Sequence, residues 1–105
     1  MYTILLDDTN NSLKKELQTI KKAGLLPNFK KVVETKIASR PLSGKPLTGQ
    51  LVGLYRYKLL GDWRIIYSVF TVEKQVLILA VRPRGNAYDN QSHLAKRAEQ
   101  FNNEG

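Results

Sequence analysis

The chain has 105 residues, 42% of them hydrophobic and 25% charged, the balance of one compact globular domain (residues 1–105) with a single core. It has no cysteine, which excludes disulfides and thiolate metal sites, and no apolar run near about 20 residues, which excludes a transmembrane helix. The net charge of +8 is large for this size and points to an acidic partner, either nucleic acid or protein. Residues 1–50 hold nine Lys/Arg against four Asp/Glu, and residues 51–105 hold eight against five. A folded domain with a basic face explains that spread better than a charged arm. The N-terminus lacks the basic start and small-residue cleavage site of a signal peptide, so a cytoplasmic protein with no membrane partner is expected.

Tyr2–Leu6 is a candidate first strand. The polar run Asp7–Asn11 that follows offers several helix N-caps. Leu13, Leu17 and Ile20 then mark one face of a helix, with Gly24 suited to the position just past its end. Pro27 and Asn28 begin a second helix, striped by Phe29, Val32, Val33 and Ile37 and stopped by Pro41. About three residues join the two helices, which predicts an antiparallel hairpin packed on a sheet. Pro41–Gln50 reads as a turn-rich loop. Leu51–Leu60, Trp63–Phe70 and Val76–Val81 read as three strands, with Gly61-Asp62 as the first turn and Pro83 and Gly85 closing the sheet. Ser92 is placed to cap a short last helix carrying Leu94, Ala98 and Phe101, and Asn102–Gly105 should fray. The order β-α-α-β-β-β-α is α+β: an N-terminal strand, an antiparallel helix hairpin, a three-stranded antiparallel meander completing a four-stranded sheet, and a short C-terminal helix.

Side-chain parity predicts the register. If Lys58 faces Arg64 and Phe70 faces Val76, one face carries Tyr55, Tyr57, Leu59, Trp63, Ile65, Tyr67, Val69, Leu77, Leu79 and Val81, an uninterrupted core. The other face carries Arg56, Lys58, Arg64, Ser68 and Arg82, with Ile66, Phe70, Val76, Ile78 and Ala80 between them. An odd register would mix arginines into the apolar face, and burying an unpaired charge is costly. The even register gathers four cations on one sheet face. Taken alone, that cluster reads equally as a phosphate site or as a solvated basic face.

Gly44-Lys45-Pro46-Leu47, Gly53–Tyr57 and Gly61–Tyr67 (GDWRIIY), followed by Val76–Tyr88, resemble the RelE/ParE toxin superfamily, with the RelE-like mRNA interferases of bacterial toxin–antitoxin systems most similar. The resemblance runs from the first strand to Tyr88. It implies a RelE-like, microbial-RNase-type fold that enters the ribosomal A site and cuts mRNA there without a metal or other cofactor. The 2′-hydroxyl beside the scissile phosphate would attack it, giving a 2′,3′-cyclic phosphate and a 5′-hydroxyl. It also implies two partners: an acidic antitoxin protein, and the ribosome with mRNA in its A site.

Such cleavage needs a group to take the 2′-hydroxyl proton, cations to stabilise the phosphorane and a group to protonate the leaving oxygen. Arg56 and Lys58 fall where the family keeps its paired strand cations. Lys58 is the candidate for proton transfer, since clustered cations lower one another's pKa, and Arg56 is assigned to phosphate binding. Arg64 matches the family arginine of the middle strand and would stabilise the transition state through its planar, always-charged fork. Arg84 and Tyr88, four apart, match the basic residue and tyrosine after the last strand, with Arg82 as the fallback phosphate ligand. Tyr88 would stack on a base or assist proton transfer. Lys30 and Lys31, with Lys14, Lys15, Lys21 and Lys22, form a solvated helix face that could also grip ribosomal RNA. Pro83, Gly85 and Asn86 thin the basic segment that relatives carry, leaving the general acid unassigned. His93 falls beyond the motif and reads as a surface residue. Two rivals follow from the same resemblance: a ParE-like toxin that binds DNA gyrase, and a catalytically weakened relative that binds only antitoxin or RNA.

Overall fold

The computed structural model describes residues 1–7, 10–83 and 94–98. Strand β1 (Thr3–Leu6) leads to helix α1 (Asn11–Lys22), then α2 (Leu26–Val32), which runs on into a π-turn at Val33–Ile37. Single 3₁₀ turns at Pro41–Ser43 and Gly49–Leu51 flank β2 (Lys45–Pro46), and β3 (Leu54–Lys58), β4 (Trp63–Phe70) and β5 (Gln75–Pro83) follow. Helix α3 spans residues 94–98. The sheet order is β1-β5-β4-β3-β2. β1 runs parallel to β5 and all other pairs are antiparallel.

Local chemistry explains the helix boundaries. Asn10 caps α1, its Oδ1 accepting from Ser12 N at 3.0 Å and Leu13 N at 3.3 Å, which satisfies two of the orphan amides of the first turn. Gly24 takes φ +78° just past α1, the left-handed conformation that reverses the chain at little steric cost. The π-turn, marked by Ala38 N donating to Val33 O at 2.9 Å, widens the helix by one residue. Val33, Ile37 and Ala38 are thereby all buried.

Both faces of the sheet carry a core. Towards the α1–α2 hairpin, Leu13, Ile20, Phe29, Val33 and Ile37 pack on Ile65, Tyr67, Val76, Ile78 and Val81, with Tyr55, Tyr57 and Trp63 beside them. On the opposite face Leu51, Leu54, Ile66, Leu77, Leu79 and Ala80 gather under Leu94 of α3.

Three sequence expectations need correction. The apolar side chains form two clusters, one on each face of the sheet, not a single core. The sheet has five strands, not four, because Lys45-Pro46 pairs with Arg56 and Tyr55. The strand is short and lies at the edge, where a proline without an amide is tolerated. The register is also not uniform. Lys58 faces Arg64 as expected, but Phe70 faces Gln75, because the β4–β5 pairing shifts between Ile66 and Tyr67, with Leu79 as the extra residue. This β-bulge reverses the parity of β5 below it. Val76 and Ile78 therefore join the helix-side core, and Leu77 and Leu79 the other one.

The outer edge of β5 is closed in two ways. β1 covers only Gln75–Ile78. Beyond it, Asn10 Nδ2 donates to Leu79 O at 3.3 Å and Val81 N donates to Glu16 Oε1 at 2.9 Å. Side chains of α1 and its cap thus occupy backbone groups that would otherwise invite another strand.

Candidate functional site

Strand pairing brings the sheet's cations together. Lys58 on β3 stands opposite Arg64 on β4, and Arg64 opposite Arg82 on β5. On the other side of β3, Arg56 stands opposite Lys45. Between the 43–45 turn and the ends of β3 and β4 lies an open cleft of 420 Å³, with Lys45, Arg56, Lys58 and Arg64 among its walls and, among the described residues, no carboxylate. Lys45 and Lys58 are exposed and Arg56 half-buried. Arg64 is 9% exposed, its guanidinium held at the root by Nη1 donating to Trp63 O at 3.1 Å. Among the described residues, Lys45, Lys58 and Arg64 form no ion pair. A concave wall of like charge focuses field on an incoming anion.

Arg82 behaves differently. It is 5% exposed, and its Nε donates to Glu16 Oε2 at 2.6 Å. It belongs to the cationic row by register, but Glu16 of α1 compensates its charge. Sequence reasoning missed this pair. The signal was there: Glu16 is the one acid in α1, three residues after Leu13 and four before Ile20, so it lies along the inward stripe.

The wall carrying Lys45 is pinned from within. Tyr67 is fully buried on β4, and its hydroxyl donates to Pro41 O at 2.7 Å while accepting from the Gly44 amide. Burial, chiefly, pushes its pKa up to about 12, although the Gly44 amide opposes the rise. A Cβ at Gly44 would stand 2.1 Å from that hydroxyl and 2.8 Å from Arg56 O, so only glycine allows the turn to sit so close to β3 and β4.

The remaining expected residues do not meet in this cleft. Lys30 and Lys31 lie exposed on α2 and do not line it. Arg84, Tyr88 and His93 lie outside the described residues, as do Ser92 and Phe101. Among the described residues, no group of three or more His, Cys, Asp or Glu side chains is assembled as metal ligands, and no helix is long and apolar enough to cross a membrane.

The family model for the ParE toxin of type II toxin–antitoxin systems, parDE, matches residues 7–88. The chain belongs to that family. Solved structures place this ParE-family chain in the wider RelE/ParE superfamily. It is 33% identical to a chain of the archaeal RelE–RelB complex from Pyrococcus horikoshii OT3, covering 82% of this chain and 98% of that one, with a TM-score of 0.53. A chain of the toxin–antitoxin complex RelBE2 from Mycobacterium tuberculosis is 24% identical, covers 79% of this chain and 98% of its own, and superposes with a TM-score of 0.66. The E. coli toxin RelE, as an arginine-to-alanine double variant in the free state, is 20% identical, with 92% and 96% of the two chains covered and a TM-score of 0.57. No curated protein matches the chain.

Proposed function

We propose that this toxin is a ribosome-dependent endoribonuclease that cuts mRNA in the A site, halting translation, and that an acidic antitoxin protein neutralises it. The observation that carries the reading is the cleft wall of Lys45, Arg56, Lys58 and Arg64, which holds no carboxylate among the described residues, a receptor for a phosphodiester. In the reaction, the 2′-hydroxyl oxygen bonds to the adjacent phosphorus and the bond to the 5′-oxygen breaks. A 2′,3′-cyclic phosphate and a 5′-hydroxyl result, with no metal required.

Lys58, exposed on the rim, is the group proposed to take the 2′-hydroxyl proton. Arg64, rooted and nearly buried, holds a fixed charge against the developing dianion, the preorganised arrangement that stabilises a transition state most. Arg56 binds phosphate. Arg84 and Tyr88 are proposed to complete the site at the leaving oxygen, which must take up a proton as it departs, with Tyr88 stacking on a base or assisting that proton transfer. Arg82, bound to Glu16, is assigned a supporting place in the row, and Lys30 and Lys31 a salt-sensitive grip on ribosomal RNA. The antitoxin proposal draws support from relatives that were solved as complexes named for RelE with RelB and for RelBE2.

Primer extension on a translated mRNA, with purified toxin and with or without ribosomes, tests the activity. Cuts confined to A-site codons and to the ribosome-containing reaction are expected. Arg64→Ala and Lys58→Ala should each lower the cleavage rate by about 10²-fold or more at unchanged folding by circular dichroism; full cleavage by both variants would sink the assignment. The ParE family match over residues 7–88 favours one second reading, inhibition of DNA gyrase by binding. DNA damage on induction, with mRNA intact, would select it.

A further inference from the structure

The cleft contains a cation that the strand pattern did not single out, and the fold holds it in place from below. Lys45 projects from the two-residue edge strand β2, opposite Arg56. It is exposed, lines the same cleft as Lys58 and Arg64, and has no ion-pair partner among the described residues. β2 and β4 are two strand spacings apart, about 10 Å. Lys45 therefore stands to one side of Arg64 rather than duplicating it.

A two-residue strand cannot hold that position by ladder bonds alone. The Tyr67 hydroxyl supplies the rest: it bonds Pro41 O at 2.7 Å and takes the Gly44 amide, thus fastening both ends of the 41–44 turn just before Lys45. A buried hydroxyl must be hydrogen-bonded to avoid a penalty. These two backbone partners meet that need and tie the turn to the sheet. Ser43 Oγ tightens the same turn by donating to Arg40 O at 2.7 Å.

We infer that Lys45 is a further RNA-binding residue of the cleft, gripping a backbone phosphate beside the scissile one, and that Tyr67 is its positioning residue. This rests on the proposal that RNA occupies the cleft. A lysine suits the task because a flanking phosphate needs a point charge and not the planar fork used at the reacting phosphate.

The test is fluorescence anisotropy of the purified full-length toxin with a labelled single-stranded RNA, 2′-O-methylated so that it cannot be cut, across a salt series. Wild type should bind with a log–log salt slope set by its phosphate contacts. Lys45→Gln should weaken binding about five- to tenfold at low salt and flatten the slope by about 0.7, one contact on a single strand, while Lys45→Arg should restore the slope. Tyr67→Phe, which keeps the ring and removes only the hydroxyl, should reproduce part of the loss. The double variant should be no weaker than Lys45→Gln alone, because Tyr67 acts through Lys45. An unchanged slope in Lys45→Gln, with a flattened one in Arg56→Ala, would overturn the inference and leave the RNA reading standing. Losses that add in the double variant would remove Tyr67 from the positioning role. Failure of the wild type to bind would overturn this inference for the free toxin, and together with an uncut translated mRNA in the primer-extension test it would reject the RNA reading itself.

Discussion

At the scale of single residues, Tyr67 serves the core and the cleft wall at once. Its ring belongs to the helix-side core and stacks on Tyr55 at 5.9 Å, while its hydroxyl serves the cleft wall. With the pKa pushed up to about 12 in the fold against about 10 in an unfolded chain, the unfolded state loses its proton first as pH rises. This contribution to stability is complete below about pH 10. It falls as pH climbs towards 12 and is gone above it, a loss of about 2–3 kcal/mol. Urea titrations of wild type and Tyr67→Phe between pH 9 and 11.5 should show a steeper alkaline decline in the wild type. Parallel curves would mean that the hydroxyl is not protected as described. The sequence placed Tyr67 on the core face correctly, through its alternation with Arg64 and Ile66. It could not reveal the hydroxyl's partners, because Pro41 and Gly44 lie 26 and 23 positions away in the chain and meet it only once β2 has paired.

At the scale of elements, the junction of α1 with β5 decides how the last strand is held. Glu16 takes the Val81 amide with one oxygen and Arg82 with the other. Arg82 is nearly buried and Glu16 19% exposed at its side chain. Removing one member of such a pair takes from the other its partner of opposite charge. Glu16→Ala should therefore cost about 2–4 kcal/mol, read as a lowered urea midpoint, whereas Glu16→Gln should retain the bond to Val81 and lose less. Equal, small losses below about 0.5 kcal/mol would reduce the pair to a surface contact. Both helices, their stripes, the Gly24 stop and the three long strands were legible from periodicity and turn residues, since these depend on near neighbours. β2 was not, since two residues carry no period, and its pairing is set by Gly44 lying against Arg56 O and Tyr67.

At the scale of the whole molecule, one sheet divides two apolar clusters of unequal size, and the cations occupy the end of the smaller one's face. Leu94 of α3 is fully buried there, and Arg97 of the same helix pairs in a bidentate manner with Asp7, its Nε at 2.9 Å. Leu94→Ala should cost about 2–4 kcal/mol in a urea titration, comparable to an equal truncation in the helix-side core. A loss under about 1 kcal/mol would mean that α3 only rests on the sheet. The net charge of +8 is spread over the cleft and the helix lysines, which suits a polyanionic substrate and an acidic partner alike.

The alternation of Arg56, Lys58 and Arg64 with apolar residues was sufficient to place those cations on one face, because parity within a strand is a covalent fact and buried charge is expensive. The motif around Gly61–Tyr67 was sufficient for the superfamily. Three things needed the tertiary structure: the bulge at Leu79, which exchanges the faces of lower β5; the reach of Glu16 to Arg82; and the pinned turn that sets Lys45 beside Arg56. Each depends on residues far apart in the chain coming within a few ångströms, and no local period encodes such a distance.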